Sequence, residues 1–217
     1  NPTNPTDIKG FWKSVFPPTF KEITFAGHPH CTFAVIIDLI KEVKGEIKTE
    51  PELKIELLDE YEKYMGSYGD QVLDILLHEG KRNDVMKVKT KVISFNTLIM
   101  SDNYHLSTLD LWLLVTKYKI PTCFITATTF LQTDYKKPVF IGYNDEADTV
   151  PEVAVYILLP SLRNTDKIPS IRLITNAAGN FLIKLSDTEG TLLTEEKYLT
   201  SVEKYIETFV KPPKLRK

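Results

Sequence analysis

The chain has few cysteines, no excess of charge of either sign and no long hydrophobic run. Two cysteines in 217 residues build no disulfide framework, which favours a reducing compartment. The 27 Lys and Arg residues nearly balance the 29 Asp and Glu residues, so the formal net charge is −2 and no basic field points to nucleic acid or an anionic membrane. We therefore expect no nucleic-acid partner, no membrane partner and a cytoplasmic protein.

The signatures of several common chemistries are also missing. The sequence contains no Gly-rich phosphate loop, no Gly-x-Ser-x-Gly elbow and no His-Glu-x-x-His pair. It shows neither an apolar stretch of membrane-spanning length nor a signal-peptide pattern. We accordingly expect no cofactor and no secretion signal.

What is present predicts an ordered domain. Hydrophobic residues make up 42% of the chain and aromatic residues 11%, enough to bury a sizeable core. We predict an N-terminal arm or linker over residues 1–20, a single domain over residues 21–210 and a basic tail over residues 211–217. The arm opens with the repeat Asn-Pro-Thr-Asn-Pro-Thr, and its later aromatic residues should lie on the core. Such a start suggests a segment of a longer polypeptide.

The first half of the domain has helical patterning. The apolar run from Phe33 to Ile40 predicts a buried helix that begins at Cys31 and ends near Gly45, the usual left-handed cap residue. Two further helices are predicted over residues 51–64, closed by Gly66, and over residues 70–78, closed by Gly80.

The second half changes to short apolar runs between turns. Ser107 and Asp110 have the spacing of a helix N-cap and its third helical residue, so a helix should begin there and end at Lys119 or just before, because Pro121 follows. Strands are predicted over residues 122–126, 138–141, 153–159, 171–174 and 181–185, and a last helix over 194–210. The fold class is therefore α/β (α+β), with a central sheet of about five strands flanked by helices.

Cys31 is the first candidate for chemistry. A cysteine at a helix N-terminus lies where unpaired backbone N–H groups and the helix dipole stabilise a thiolate. The alternative is that Cys31 packs as a small hydrophobic residue, and its flanking histidines make the two interpretations about equally strong. Cys123 lies inside an apolar run and is interpreted as a core residue.

Three stretches together carry a family resemblance. They are Cys31-Thr32-Phe33 at the helix start, the string from Ser101 to Leu114 that reads SDNYHLSTLDLWLL, and Lys117-Tyr118-Lys119-Ile120-Pro121 before a strand. In this order they resemble the ovarian-tumour (OTU) family of deubiquitinating cysteine proteases, over roughly residues 25–187. The residues in these stretches are similar to those of OTU-like domains in long proteins of large DNA viruses. The resemblance implies a cysteine-protease-like fold, Cys31 in the nucleophile position, and a location in the host cytoplasm or the virion.

The chain departs from the family at two places that matter for catalysis. The family usually has Asp-Gly-Asn-Cys where this chain has His28-Pro29-His30-Cys31, and Pro29 has no N–H to contribute to an oxyanion hole. The family's base is a histidine that opens a late strand, and the matching position here holds Asn180. Asparagine cannot take a proton from a thiol, so the ordinary Cys–His dyad is broken.

Other histidines offer alternatives. His30 adjoins Cys31, and His105 lies in the turn before the Ser107 helix, where the plainer interpretation is an exposed loop residue. His28, His30 and Cys31 also have a metal-ligand pattern, but zinc requires about four ligands in a structural site and the fourth is not visible locally. We therefore predict no metal site.

These observations lead to three functional hypotheses. The favoured one is a degenerate, inactive OTU-like domain of a larger viral protein that acts by binding ubiquitin or another protein. The rival is an active deubiquitinating cysteine protease that uses Cys31 with His30 or His105 as a non-standard base. The third is a purely structural module, since fold does not determine function.

Overall fold

The structure is a computed structural model and describes residues 4–25, 30–126, 140–141, 152–159, 170–188 and 201–209. The helices are α1 (Cys31–Lys44), α2 (Glu50–Leu76), α3 (Arg82–Lys89), α4 (Phe95–Met100), α5 (Thr108–Lys117) and α6 (Val202–Thr208). The strands are β1 (Thr6–Asp7), β2 (Lys21–Phe25), β3 (Thr122–Thr126), β4 (Phe140–Ile141), β5 (Val153–Leu159), β6 (Ile171–Thr175) and β7 (Leu182–Lys184). The predicted α/β (α+β) class is confirmed.

The strands form one mixed sheet in the order β1-β2-β6-β5-β3-β4. Strands β3 and β5 are parallel, with Thr122 opposite Val155, and the other pairs are antiparallel. Strand β7 pairs with the first half of β5, and β6 pairs with its second half. The sheet therefore contains the predicted strands together with β1 and β2, which the sequence analysis missed.

Alternating side chains of β5 point into two different hydrophobic cores. Val155, Ile157 and Leu159 belong to the larger core, which the helices cover. The alternate residues of β5, among them Tyr156, point to the opposite face of the sheet. They belong to a smaller core, which the N-terminal arm covers. Phe16 packs edge-on against Tyr156 with ring centroids 5.1 Å apart. The predicted contact of the aromatic arm with the core is confirmed.

The predicted break between the second and third helices corresponds to a kink in α2. The helix is assigned without a gap from Glu50 to Leu76, but Tyr68, just beyond Gly66, has non-helical dihedral angles (φ −128°, ψ 19°), so two helical segments meet there. A glycine inside a helix costs about 1 kcal/mol, less than the burial of the apolar residues beyond it provides. These residues are Val72, Leu73, Ile75 and Leu76.

The glycines predicted at two other helix ends adopt the left-handed conformation. Gly45 follows α1 in the left-handed conformation (φ 71°), as expected. Gly80 is also left-handed (φ 101°) and lies in the π-helical turn Leu77–Lys81 that separates α2 from α3. The predicted start of the last helix at Thr194 lies outside the described residues. Among the helices that the structure describes, none is both long and apolar enough to cross a membrane.

Candidate functional site

Cys31 is the first residue of α1, as predicted, but its side chain is only 4% exposed. It belongs to the larger hydrophobic core together with Phe25 and Phe33. A thiol covered by packed side chains is poorly accessible to a substrate, which opposes the effect of the helix N-terminus. The helix position therefore matches a nucleophile, whereas the burial matches a packing residue.

His30 precedes the helix and forms a polar pair that the sequence did not predict. Its Nδ1 lies 2.5 Å from Oε2 of Glu50, the first residue of α2. The other oxygen of Glu50 is 3.0 Å from Nζ of Lys54, so the carboxylate joins the starts of two helices. A carboxylate hydrogen-bonded to Nδ1 fixes the orientation of the imidazole ring. This is how a histidine base is oriented in many nucleophilic sites.

His105 is partly buried, so it is not the exposed loop residue that the plainer interpretation expected. Its Nε2 atom is buried and has no hydrogen-bond partner among the described residues. Burial, reinforced by the nearby charge of Lys81, lowers the pKa of His105 to about 3. A histidine with this pKa is neutral at pH 7 and is a poor base for a thiol.

The loop that carries His105 is nevertheless attached to the start of α1. The backbone N–H of Leu106 donates a hydrogen bond of 2.8 Å to Oγ1 of Thr32. Lys54 holds the other end of the loop by donating to the carbonyl oxygen of Ser101 at 2.9 Å, and Lys81 donates to the carbonyl oxygen of His105. The structure thus brings residues adjacent to His105 and Cys31 together.

Behind this loop lies a buried polar cluster, which we define as Tyr61, Glu79, Lys81, Tyr104, Asp110 and Tyr205. Its centre is Asp110, which is fully buried and accepts hydrogen bonds from the hydroxyls of Tyr61 (2.5 Å) and Tyr104 (2.7 Å). The backbone N–H of Ser107 donates to the same carboxylate at 2.7 Å, which completes the capping box of α5. The Nζ atom of Lys81 is 3.8 Å away.

Glu79 forms the second half of the polar cluster. It accepts hydrogen bonds from the hydroxyl of Tyr205 on α6 at 2.5 Å and from the backbone N–H of Leu109 at 3.2 Å. Burial raises the pKa of Glu79 and lowers the pKa of Lys81, because each charged form has lost its water. Each residue of the polar cluster thus has a hydrogen-bond partner. The cluster connects α2, α5 and α6 and has a structural character.

Asn180 lies in the exposed turn between β6 and β7. Its backbone N–H donates to Oδ1 of Asn176 at 2.9 Å, and its carbonyl accepts from the N–H of the same residue at 3.0 Å. The turn follows Thr175, which pairs with Lys21 at the beginning of β2, whereas the chain leaves β2 towards Cys31 at its other end. This register disfavours the predicted meeting of Asn180 with Cys31, which stays a prediction.

His28 and Pro29, on which the metal pattern and the oxyanion argument depend, lie outside the described residues. Within the described chain, no three His, Cys, Asp or Glu side chains are grouped in a way that could hold a metal ion.

Comparisons with known proteins add no relative. No family model, no curated protein and no solved structure matches the chain. The resemblance to the OTU family therefore depends on the sequence motifs alone.

Proposed function

We propose that the chain is a degenerate relative of the OTU-like cysteine proteases, part of a larger viral protein, that acts by binding ubiquitin or another protein. The observation that carries this proposal is the environment of Cys31. Its side chain is only 4% exposed, although it occupies the family's nucleophile position. A buried thiol can support a fold but is poorly placed to attack a peptide carbonyl.

The candidate bases support the same conclusion. Asn180 has no basic lone pair and lies beyond the end of β6 that pairs with the start of β2, and His105 has a pKa of about 3. Losing a member of a nucleophile–base pair commonly lowers the rate by several orders of magnitude. A domain without a competent base can still present a surface to a protein partner.

One observation favours the active protease as a second candidate. His30 is hydrogen-bonded to Glu50 and is the residue next to Cys31. An active site here would consist of a cysteine, a histidine and an orienting carboxylate, and it would require the Cys31 thiol to become exposed. This candidate requires His30 as the base, since the low pKa of His105 weakens the other choice.

The test combines binding with turnover. We expect addition of the domain to 15N-labelled ubiquitin to shift a contiguous set of amide signals, while ubiquitin chains incubated with the domain remain uncleaved. Cleavage that is lost in both Cys31→Ala and Glu50→Gln would instead establish the second candidate. Asp70→Asn is the matched control, because it removes an exposed carboxylate of α2 far along the helix from Glu50.

A further inference from the structure

One surface of the molecule combines positive charge with exposed apolar side chains. Met86 on α3 is 44% exposed, and Val92, just beyond the helix, is 70% exposed. Exposed cations surround them, and within the described chain neither Arg82 nor Lys91 has an ion-pair partner. We define the basic face as Arg82, Met86, Lys87, Lys91 and Val92.

The backbone holds the basic face in an unusual conformation. Lys91 is left-handed (φ 60°), at the position after a helix end that normally holds glycine. The N–H of Val92 donates to the carbonyl of Lys87 at 2.8 Å, and the N–H of Lys91 donates to that of Val88 at 3.0 Å, which is a Schellman motif. A lysine in this conformation is strained relative to glycine, as is Lys119 (φ 51°) in the same motif after α5.

A second surface has the opposite charge. Ile47 is 82% exposed and Ile55 is 53% exposed. On α2, Glu52, Ile55, Asp59 and Glu62 follow at intervals of three or four residues, so they form one exposed stripe about 15 Å long. We define the acidic face as Glu46, Ile47, Glu52, Ile55, Asp59 and Glu62.

The acidic face carries charge that this molecule leaves uncompensated. Among the described residues, Asp59 and Glu62 have no ion-pair partner. Lys48 lies 3.1 Å from Glu56 and 3.6 Å from Glu46, so it compensates Glu46 but neither Asp59 nor Glu62. Negative charge is therefore in excess around Ile47 and Ile55. Positive charge is in excess around Met86 and Val92, although Asp84 lies there too and pairs with Lys87 at 3.2 Å.

We propose that the acidic face of one copy of this chain binds the basic face of a second copy, so that the molecules associate head to tail. Opposite charges around two apolar centres are the complementarity that such a contact requires. A twofold contact of either face with itself would place like charges together, so the interface is heterologous. The net charge of −2 adds little overall repulsion.

The two faces are separate, so one molecule can use both at once. The acidic face lies on the loop before α2 and on its first turns, whereas α3 lies beside the last part of α2, where Lys89 is 2.5 Å from Asp74. A heterologous contact of this kind continues into rings or open chains. The inference is independent of the proposed binding of ubiquitin.

Sedimentation velocity over a concentration series tests the association of the unmodified domain. We expect the mean mass to rise above that of the monomer with concentration and to fall with added NaCl, because salt screens exposed charges. A protein that remains monomeric at every concentration overturns the proposal. Association that salt leaves unchanged or strengthens also overturns it.

A mixing experiment then identifies the two faces. Asp59→Lys/Glu62→Lys disables the acidic face, and Arg82→Glu/Lys91→Glu disables the basic face; all four positions are exposed. Each variant alone should associate at least about tenfold more weakly than the unmodified chain, because its two faces then carry charge of the same sign. An equimolar mixture should associate again, because the unmodified pair of faces and the charge-reversed pair are both complementary. Lys13→Glu/Lys184→Glu is the control and should associate normally. Variants that associate like the control, or a mixture that stays monomeric, would rule out this interface.

Discussion

At the scale of single residues, Asp110 connects more parts of the molecule than any sequence motif indicated. One carboxylate caps α5, accepts hydrogen bonds from two tyrosine hydroxyls and lies 3.8 Å from the Lys81 ammonium. Removing it leaves several buried polar groups without a partner, and leaving a buried charge uncompensated costs about 3–5 kcal/mol.

We therefore expect Asp110→Ala to lower the free energy of unfolding by about 3–5 kcal/mol in urea titrations. Asp102→Ala, at an exposed position in the loop before α5, is the control and should change stability by no more than about 0.5 kcal/mol. A loss of less than about 1 kcal/mol for Asp110→Ala would mean that the polar cluster is not formed as described.

The low pKa of His105 should make the stability of the fold depend on pH. This pKa is lowered from 6.5 to about 3, so between these values the unfolded chain binds a proton that the folded protein does not. Its contribution to stability is thus fully present above pH 6.5 and is lost as the pH falls towards 3. His105→Asn should flatten the decrease of the urea midpoint over this range. His78→Asn is the control, and equal slopes for the two variants would contradict the assignment.

Lys91 offers a test of backbone strain. Glycine adopts its φ of 60° without a Cβ penalty, so Lys91→Gly should raise the free energy of unfolding by about 0.5–1 kcal/mol. Lys91→Ala removes the same charge but keeps the Cβ, and we expect little stabilisation from it. If both variants stabilised equally, the lysine charge would be the cause and the backbone conformation would not.

At the scale of elements, α5 shows how local signals specify a helix. Ser107 Oγ accepts from the N–H of Asp110 at 3.3 Å, and the helix ends at Lys117, as the cap and Pro121 predicted. Ser107→Ala should lower the free energy of unfolding by about 1 kcal/mol. Ser67→Ala, at an exposed position within α2, is the control for chemical denaturation. Equal midpoints for the two variants would show that the cap contributes nothing measurable.

Elements with local signals were predictable, and elements that depend on distant partners were not. Caps, turn glycines and apolar runs indicated α1, α5, β3, β5 and β6. The missed strand β2 has a mixed pattern, and its pairing with β6 joins residues about 150 positions apart. The sequence also predicted a break between helices over residues 51–64 and 70–78, and the structure has a kink at Tyr68 between them.

The same distinction between local signals and distant contacts applies to the candidate site. Cys31 at the start of a helix was recognisable from the turn and the apolar run around it. Its burial, the Glu50 partner of His30 and the polar cluster were not, because each depends on which helices pack together. Glu79 and Lys81 lie in a π-helical turn, where helical periodicity gives no indication that two charged side chains are buried.

At the scale of the whole molecule, the sheet separates the two thiols. Cys31 belongs to the larger core and Cys123 to the smaller core on the opposite face. Burial raises the pKa of Cys123, so this residue should react only when the protein unfolds and serves as an internal standard. If Cys31 has a packing role, iodoacetamide should modify both cysteines slowly, with rates that increase together in urea.

Peptide mapping by mass spectrometry measures the two rates in one sample. In the proposed non-catalytic domain, Cys31 should be modified no more than about tenfold faster than Cys123, because both thiols are shielded by packing. Modification of Cys31 that is much faster in native buffer, and that slows in Glu50→Gln, would reveal an accessible thiolate maintained by His30. That result would favour the active cysteine protease over the non-catalytic binding domain, because only catalysis requires the thiol to be both exposed and acidic.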